Sequence, residues 1–425
     1  MGNRITLTLV FTLSFLSYMT EDLSFSLQLV PLILFAILVF FKVICSKPLV
    51  ETVGAFFEPD GLVYILLVSI LMISPSVASG IDRSLETALV ISVCALLARI
   101  YMTAVSIQEV FEAFFWSGVA SVVLIMSLGF GALMQSLATL ARFSLFSFHP
   151  NLLAFVLAGY FCATAWKFWI GNWYMKILTA VVGLIDLVVI FFASSRGSIA
   201  GILAGVAFVI AIAIIGAEER TRRRLMRIAA TGLVLLFLLF LSIQSRAWVQ
   251  ETYTFVDAVL QLTQDQRGID SGFSGRFDKW DRTLRVLSDG SWVFGHGVRS
   301  SDLMEDNFID NSYLVMLYEV GVVTISIVTW RYISILRRLL RNYFKTRDRM
   351  ERCFFLGATL LIVVFLANNI VARFLFSVGN PYSLAALLFF VTPTRLLAIP
   401  SNSRVAEGHP IGIVGPPIQT LSHEI

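Results

Sequence analysis

Long apolar stretches separated by short polar segments dominate the chain. A helix needs about 20 predominantly apolar residues to cross the hydrocarbon of a bilayer. Stretches of this kind predict about twelve transmembrane helices, near residues 5–20, 24–44, 61–80, 85–105, 111–134, 151–169, 176–193, 198–217, 228–244, 312–334, 354–372 and 381–398. The fold class expected from this pattern is an all-α integral membrane bundle.

The predicted spans divide the chain into four parts. Residues 1–244 hold the first nine spans, residues 245–311 form one large polar loop, and residues 312–399 hold the last three spans. Residues 400–425 contain Pro, Gly and Ser with few large apolar side chains, which is typical of a disordered tail. The order of these parts gives a membrane bundle with one substantial domain outside the bilayer.

Two apolar stripes with helical spacing lie inside the large loop. One comprises Trp248, Phe255, Val259 and Leu262, and the other comprises Phe277, Trp280, Leu284 and Leu287. These stripes predict two short amphipathic helices that lie on the membrane interface or cap the bundle.

The composition agrees with this interpretation. Hydrophobic residues make up 57% of the chain and charged residues only 14%, whereas a soluble domain carries about 25% charged residues. The four cysteines all fall inside or beside apolar spans, so neither a disulfide framework nor a metal cluster is indicated.

The distribution of Lys and Arg predicts the orientation of the bundle. With the N-terminus in the cytoplasm, 21 of the 32 basic residues fall in cytoplasmic segments, four fall in short outer segments and seven fall in the large loop. Long loops escape the positive-inside rule, so the relevant comparison is 21 against four. We therefore expect a membrane protein with both termini in the cytoplasm and the 245–311 loop on the opposite, outer side of the membrane.

Several polar clusters fall on the predicted outer side. The first is a hairpin between two apolar spans, Ser194-Ser195-Arg196-Gly197-Ser198. Its arginine could reach toward lipid headgroups from a tight turn. It could equally form an anion site, because the guanidinium offers a fork of donors that matches phosphate.

The second cluster is Ser274-Gly275-Arg276, followed by Trp280, in the large loop. A basic segment of this kind can simply contact lipid headgroups. The outer side also carries Arg373 and a polar helix start, His149-Pro150-Asn151, whose simplest explanation is a proline-containing helix N-terminus.

The third cluster runs from Gly295-His296-Gly297 to Asp310-Asn311-Ser312-Tyr313-Leu314 and ends with Glu319 and Gly321. Helix capping by Asp310 or Asn311 would explain one polar side chain here. It explains Glu319 poorly, because a carboxylate nine residues into an apolar span normally needs a partner or a task.

In combination, these motifs resemble the signature of the O-antigen ligase and polysaccharide polymerase superfamily. The resemblance lies in Ser-Arg-Gly after an apolar span, Ser-Gly-Arg with Trp in a long outer loop, the Gly-x-Gly, the Asp-Asn-x-Tyr-Leu with Glu-x-Gly, and the His-Pro-Asn helix start. It covers residues 149–321, and the predicted topology extends it to the whole chain. The superfamily implies an all-helical glycosyltransferase of the bacterial inner membrane that uses undecaprenyl-diphosphate-linked glycans, with the 245–311 loop in the periplasm.

The resemblance implies roles for individual residues. Arg196 and Arg276 would bind the diphosphate, and Asp310 would act as a base or orient the acceptor. The ligases of the superfamily have His before the Asn of the third motif, whereas this chain has Asp310, which favours a polymerase. The expected substrate-binding residues are Asn311, Glu319, His149, Asn151, Ser195, His296 and Arg373.

The leading hypothesis is therefore a polymerase that joins lipid-linked repeat units of O-antigen, capsule or exopolysaccharide. A ligase that joins glycan to lipid A core is the first alternative, and a transporter of lipid-linked glycans is the second. We expect no cofactor and no obligatory metal, because the outer loop has no Asp-x-Asp motif and no His/Cys cluster. The expected partners are the lipid-linked donor, the glycan acceptor, the bilayer and a chain-length regulator, and no nucleic acid.

Overall fold

The computed structural model describes residues 2–18, 30–46, 54, 56–78, 82–145, 149–217, 247–261, 263, 272–287, 292–303, 311–372, 375 and 380–393. This part of the chain is helical and contains no β-strand. Its helices are α1 (Gly2–Tyr18), α2 (Val30–Ser46), α3 (Pro59–Ala78), α4 (Asp82–Ala104), α5 (Ile107–Leu128), α6 (Phe130–Thr139), α7 (Pro150–Ile170), α8 (Trp173–Phe192), α9 (Arg196–Ile215), α10 (Ala247–Leu260), α11 (Gly272–Val286), α12 (Ser312–Lys345), α13 (Arg349–Asn368) and α14 (Pro381–Val391). The all-helical prediction is confirmed for these residues.

Seven of the described helices are long and apolar enough to cross a membrane, namely α4, α5, α7, α8, α9, α12 and α13. Shorter apolar helices coincide with four further predicted spans, in α1, α2, α3 and α14. The ninth predicted span at 228–244, the basic cluster at 220–227 and the tail at 400–425 lie outside the described residues. The protein is thus an integral membrane protein, and the total of twelve spans stays a prediction.

Several basic side chains at one end of the bundle form ion pairs or hydrogen bonds between helices. Glu112, in the first half of α5, bonds Arg4 of α1 at 2.5 Å and Lys167 of α7 at 2.7 Å. At the same end, Arg352 of α13 donates to the carbonyl oxygen of Gly216, just after α9, at 2.9 Å. All of these ends belong to the side that the basic residues predict to be cytoplasmic.

Two further arginines of that end lie inside the protein rather than at its surface. Arg99 is completely buried and Arg331 is 2% exposed. Arg99 donates to the carbonyl oxygen of Val391 at 2.9 Å, and Arg331 donates to those of Phe390 and Thr392 at 2.9 and 2.7 Å. The two guanidinium groups therefore satisfy the last carbonyl groups of α14, where the helix dipole is negative.

Helix α14 differs from its sequence prediction. The apolar stretch 381–398 predicts a full span, but α14 has 11 residues and ends at Val391. It is therefore about 16 Å long, well short of the roughly 30 Å of hydrocarbon. Every residue of α14 is buried, so this helix is surrounded by protein on all sides.

Helix α12 also differs from the predicted span at 312–334. It runs over 34 residues and is interrupted at Gly321, whose backbone has φ 74° and ψ 171°. A length of about 51 Å exceeds the thickness of the hydrocarbon, so the helix extends beyond it. The interruption places Glu319 two residues before a break in the helix, rather than within a regular helical span.

Candidate active site

The hairpin between α8 and α9 is compact and largely buried. Ser194 adopts a left-handed backbone conformation with φ 53°. Ser195 occupies the N-cap position of α9, but its hydroxyl donates to Ser198 Oγ at 3.1 Å and makes no capping bond to the backbone. The first N–H groups of α9 therefore receive no serine cap. A helix N-terminus of this kind carries partial positive charge and favours anions.

Arg196 is the first residue of α9 and is partly buried. Two glycines bring this end of α9 against the end of α13. A Cβ atom at Gly197 would collide with the side chain of Val371, and one at Gly201 would lie 3.0 Å from the side-chain nitrogen of Asn368. The sequence Arg-Gly-Ser thus combines a cation with a close helix contact that only glycine permits.

Arg142 is a second cation at this hairpin, and sequence reasoning did not assign it a role. Its Nε donates to the carbonyl oxygen of Ala193 at 2.8 Å, and its Nη2 donates to Asn151 Oδ1 at 2.5 Å. The next residue, Phe143, donates its backbone N–H to the carbonyl oxygen of Phe192 at 2.8 Å. The only sequence signal was a lone arginine in a short outer segment.

His149 and Asn151 are brought to the same hairpin through Arg142. His149 is the N-cap of α7, and its Nδ1 accepts the backbone N–H of Asn151 at 3.3 Å. Asn151 uses its side-chain oxygen to accept from Arg142. These contacts agree with the simpler explanation of a proline-containing helix start, and they also fix the position of Arg142.

An apolar groove of about 360 Å³ lies between α8 and α9. It begins within one helical turn of Arg196, at Ile199, and within two residues of Ser194, at Phe192. Leu187 and Leu203 in its walls are 40% and 64% exposed, so the groove opens at the side of the bundle. Its lining consists of Leu187, Val188, Ile190, Phe191, Phe192, Ile199, Ile202 and Leu203.

The start of α12 meets the hairpin across the turn that follows α13. Asn311 is the N-cap of α12 and accepts the backbone N–H groups of Tyr313 and Leu314 at 2.9 and 3.1 Å. Ser312 donates its hydroxyl to Asn369 Oδ1 at 2.6 Å, within the turn whose Val371 packs on Gly197. The capping explanation is therefore correct for Asn311, and Asn311 and Arg196 lie on either side of one turn.

Three predicted site residues cannot be placed among these contacts. Asp310 and Arg373 lie outside the described residues, although each directly adjoins one that is described, Asn311 and Ala372. Arg276 belongs to the first turns of α11, but its side chain lies outside the described part. The convergence of Arg196, Arg276 and Asp310 on one cavity stays a prediction.

Glu319 and His296 meet at the break in α12. Glu319 is 8% exposed, and its carboxylate accepts a hydrogen bond from the Ser301 hydroxyl. The His296 ring stacks on that of Tyr318 with centroids 4.4 Å apart. The partner that Glu319 requires is thus a serine supplied by the large loop. Among the described residues, no group of three or more His, Cys, Asp or Glu side chains could hold a metal ion.

A comparison with known families covers this region. Residues 178–329 match the family model described as O-antigen ligase. Over this segment the chain is similar to the O-antigen ligase and polysaccharide polymerase superfamily. The matched segment includes most of α8, the hairpin, α9 and the break in α12. A search of curated proteins found no match. The resemblance is confirmed, and it supports the activity of an O-antigen ligase or a related polymerase on lipid-linked glycans.

Proposed function

We propose that the protein is a polymerase of lipid-linked oligosaccharide repeat units for O-antigen, capsule or exopolysaccharide, acting at the periplasmic face of the inner membrane. The acceptor sugar hydroxyl attacks the anomeric carbon of the donor glycan. A new C–O bond forms, the C–O bond to the diphosphate breaks, and undecaprenyl diphosphate leaves with the bonding electrons. The hydroxyl proton passes to a base or to water.

The observation that carries the proposal is the position of Arg196 beside the apolar groove. The donor has an anionic diphosphate head and an isoprenoid tail that must remain in lipid. Arg196 and the N-terminus of α9, which has no serine cap, offer donors to an anion. The groove between α8 and α9 offers an apolar surface that opens sideways. A ligand with an anionic head and an apolar tail fits the cationic hairpin and the adjacent groove better than a soluble anion does.

Arginines suit the chemistry of this leaving group. The diphosphate departs as an anion, so positioned cations stabilise the transition state directly. Arg196 and Arg276 fulfil this role in the proposal, and Arg142 fixes the hairpin that carries Arg196. Asp310 accepts the proton or orients the acceptor, next to the cap formed by Asn311. The arginines supply positive charge that a metal ion provides in other glycosyltransferases, so no metal is required.

The test begins with loss of the gene, followed by gel analysis of surface glycan. A polymerase defect leaves glycan of a single repeat unit. A normal ladder in the deletion strain would contradict the proposal. The ligase is the second candidate, because the family that matches residues 178–329 is described as O-antigen ligase. Loss of a ligase would instead leave free lipid-linked polymer and unmodified lipid A core.

The groove can be tested separately with purified protein and the lipid-linked donor. Leu203→Trp fills the groove from its exposed side without disturbing the core, so the KM for the long-chain donor should rise several-fold while kcat changes little. Leu184→Trp is the matched control, because Leu184 is 63% exposed on α8 and does not line the groove. An equal KM in both variants would exclude the groove as the seat of the lipid tail.

A further inference from the structure

The segment 292–297 of the large loop is fastened to the broken part of α12 by main-chain hydrogen bonds. His296 and Gly297 donate their N–H groups to the carbonyl oxygens of Tyr318 and Glu319 at 2.9 and 2.8 Å. In the opposite direction, Val322 donates to the carbonyl oxygen of Trp292 at 2.8 Å. The groups that α12 leaves unpaired at its break are thus satisfied by the loop.

Two glycines make this contact possible. Gly295 and Gly321 have φ of 78° and 74°, a region that L side chains rarely adopt. A Cβ atom at Gly295 would collide with the backbone of Glu319, and one at Gly321 with the backbone of Val293. The backbones of the loop and the helix therefore touch, and the side chains of the loop are held on a fixed frame.

The hydrogen bonding of His296 defines its tautomer. Its Nδ1 lies 3.1 Å from the carbonyl oxygen of Tyr318. A carbonyl oxygen only accepts, so Nδ1 carries the proton, and in the neutral ring Nε2 carries the lone pair. Nε2 makes no hydrogen bond to the described residues, and the partly buried ring is held flat against Tyr318. The protein thus presents a fixed hydrogen-bond acceptor at this position.

Two aromatic side chains accompany His296 on the same short segment. Trp292 and Phe294 are 47% and 58% exposed although their backbone is tightly held. The next residues of the loop contact the outer end of α3, where Val298 N–H donates to Ser76 Oγ at 3.3 Å. Ser76 in turn accepts from Ser84 at the outer end of α4. The segment therefore lies at the same end of the bundle as the Arg196 hairpin, opposite the basic end.

We propose that Trp292, Phe294 and His296 form a subsite for the acceptor glycan, in which Nε2 of His296 accepts a sugar hydroxyl and the two aromatic rings pack against sugar faces. This inference rests on the proposed function and adds the position of the acceptor to it. A sugar has both hydroxyl donors and apolar C–H faces, which matches an imidazole acceptor on the same six-residue segment as two exposed aromatic rings.

A lipid surface is the competing occupant of exposed aromatic rings. Three features favour a glycan. The main-chain hydrogen bonds hold the rings in place, the fixed acceptor on His296 would have no partner in acyl chains, and the Ser301–Glu319 pair adds polar character beside it. Rings that only anchor the protein to the membrane can be replaced by leucine without loss of binding to a free oligosaccharide, and this difference separates the two occupants experimentally.

The experiment measures binding of repeat-unit oligosaccharide, released by mild acid from the cells' own lipid-linked pool, to the full-length protein in nanodiscs. Trp292→Leu and Phe294→Leu keep apolar character but lose the ring, so binding should weaken about tenfold in each. Trp292→Tyr and Phe294→Tyr keep a ring and should bind nearly as the wild type. Trp330→Leu is the control, because Trp330 is 55% exposed on the opposite half of α12.

His296 is tested by two amides. Asn places its amide near the position of Nδ1, so His296→Asn can keep the bond to Tyr318 but loses the acceptor at Nε2, and binding should weaken about tenfold. Gln reaches the position of Nε2, so His296→Gln should bind more tightly than His296→Asn. Unfolding temperatures of all variants identify any that lose binding through loss of fold.

Two outcomes would overturn the subsite. Wild-type binding by the Leu variants would assign the rings to lipid, and equal wild-type binding by the Asn and Gln variants would show that Nε2 is not used. Failure of the proposed function is recognised separately, by a normal glycan ladder in the deletion strain, since the binding measurement on purified protein does not depend on transfer.

Discussion

Nε of Arg142 donates a 2.8 Å hydrogen bond to the carbonyl oxygen of Ala193, the residue that ends α8 immediately before the Ser194–Ser195 turn. The same guanidinium reaches Asn151 in the first turn of α7. One side chain therefore joins the start of α7 to the hairpin that carries Arg196. Ser194 has a left-handed backbone there, and such a conformation persists only where the surroundings hold it.

Replacing Arg142 should therefore misplace Arg196 rather than remove a reacting group. Arg142→Ala should lower polymer formation by about tenfold or more, because a small displacement of a positioned cation is costly in rate. Gel analysis of glycan together with protein quantification measures the effect. Arg83→Ala, at an exposed outer arginine of α4, is the control and should have no effect. Equal activity of the two variants would show that the hairpin does not depend on Arg142.

The two arginines assigned to the diphosphate should have larger effects. Removal of one donor that acts mainly in the transition state typically costs about 10²–10³ in rate. Arg196→Ala and Arg276→Ala should each nearly abolish polymer, and Lys should rescue only partly because it lacks the planar fork. Arg282→Ala, an exposed arginine on the same helix as Arg276, should behave as the wild type. A full ladder in both alanine variants would show that these arginines contact lipid headgroups rather than bind the diphosphate of the donor.

Asp310 and Asn311 can be separated, because the cap of α12 is Asn311. Asp310→Asn should leave the unfolding temperature unchanged and reduce transfer by about 10²–10⁴, the usual contribution of a general base. Asn311→Ala should instead lower stability by about 1 kcal/mol, the usual effect of losing a cap. Thermal unfolding and a transfer assay on the same preparations measure both. Normal transfer by Asp310→Asn would exclude Asp310 as a general base. It would indicate that the diphosphate is a good enough leaving group for transfer without base assistance.

The glycines at the break in α12 should be needed for folding. Gly321→Ala and Gly295→Ala each introduce a Cβ atom against a backbone group at positive φ, which should cost more than about 1–3 kcal/mol and reduce the yield of folded protein. Gly131→Ala is the control, because nothing lies within 4 Å of its Cβ position and alanine favours a helix by about 1 kcal/mol. Fluorescence-detected size exclusion after heating ranks the three. Similar stability of all three would mean that the break is not fixed as described.

Apolar runs predict the positions of the long apolar helices of the described part, because crossing a bilayer requires a long continuous stretch of apolar residues. They do not predict α6 or the C-terminal ends of α12 and α14. The hairpin at Ser194–Ser198 was equally visible, since a polar cluster between two such runs must lie at the membrane surface. The break in α12 was not visible. Around Gly321 the sequence still reads as an apolar helix, and the break depends on residues 292–297, which pair with it only in the folded chain.

The sequence predicts residue types for the candidate site but not the contacts between them. The residue type of Asn311 predicts a possible helix cap, and the proline after His149 predicts the start of a helix there. The role of Arg142 could not be read from the sequence, because its partners, Ala193 and Asn151, lie on two other segments. For Glu319 the need for a partner was evident from its apolar neighbours, but Ser301 could be identified only from the fold.

The complete enclosure of α14 has a consequence for biogenesis. This 11-residue helix has no surface facing lipid, and its terminal carbonyl groups are bound by Arg99 of α4 and Arg331 of α12. We therefore expect that α14 does not leave the translocon sideways into lipid as an independent span. It inserts instead between helices that are synthesised before it. Until it does so, Arg99 and Arg331 lack the acceptors that α14 provides, so we expect a chain stalled before residue 381 to be recognised by membrane quality control.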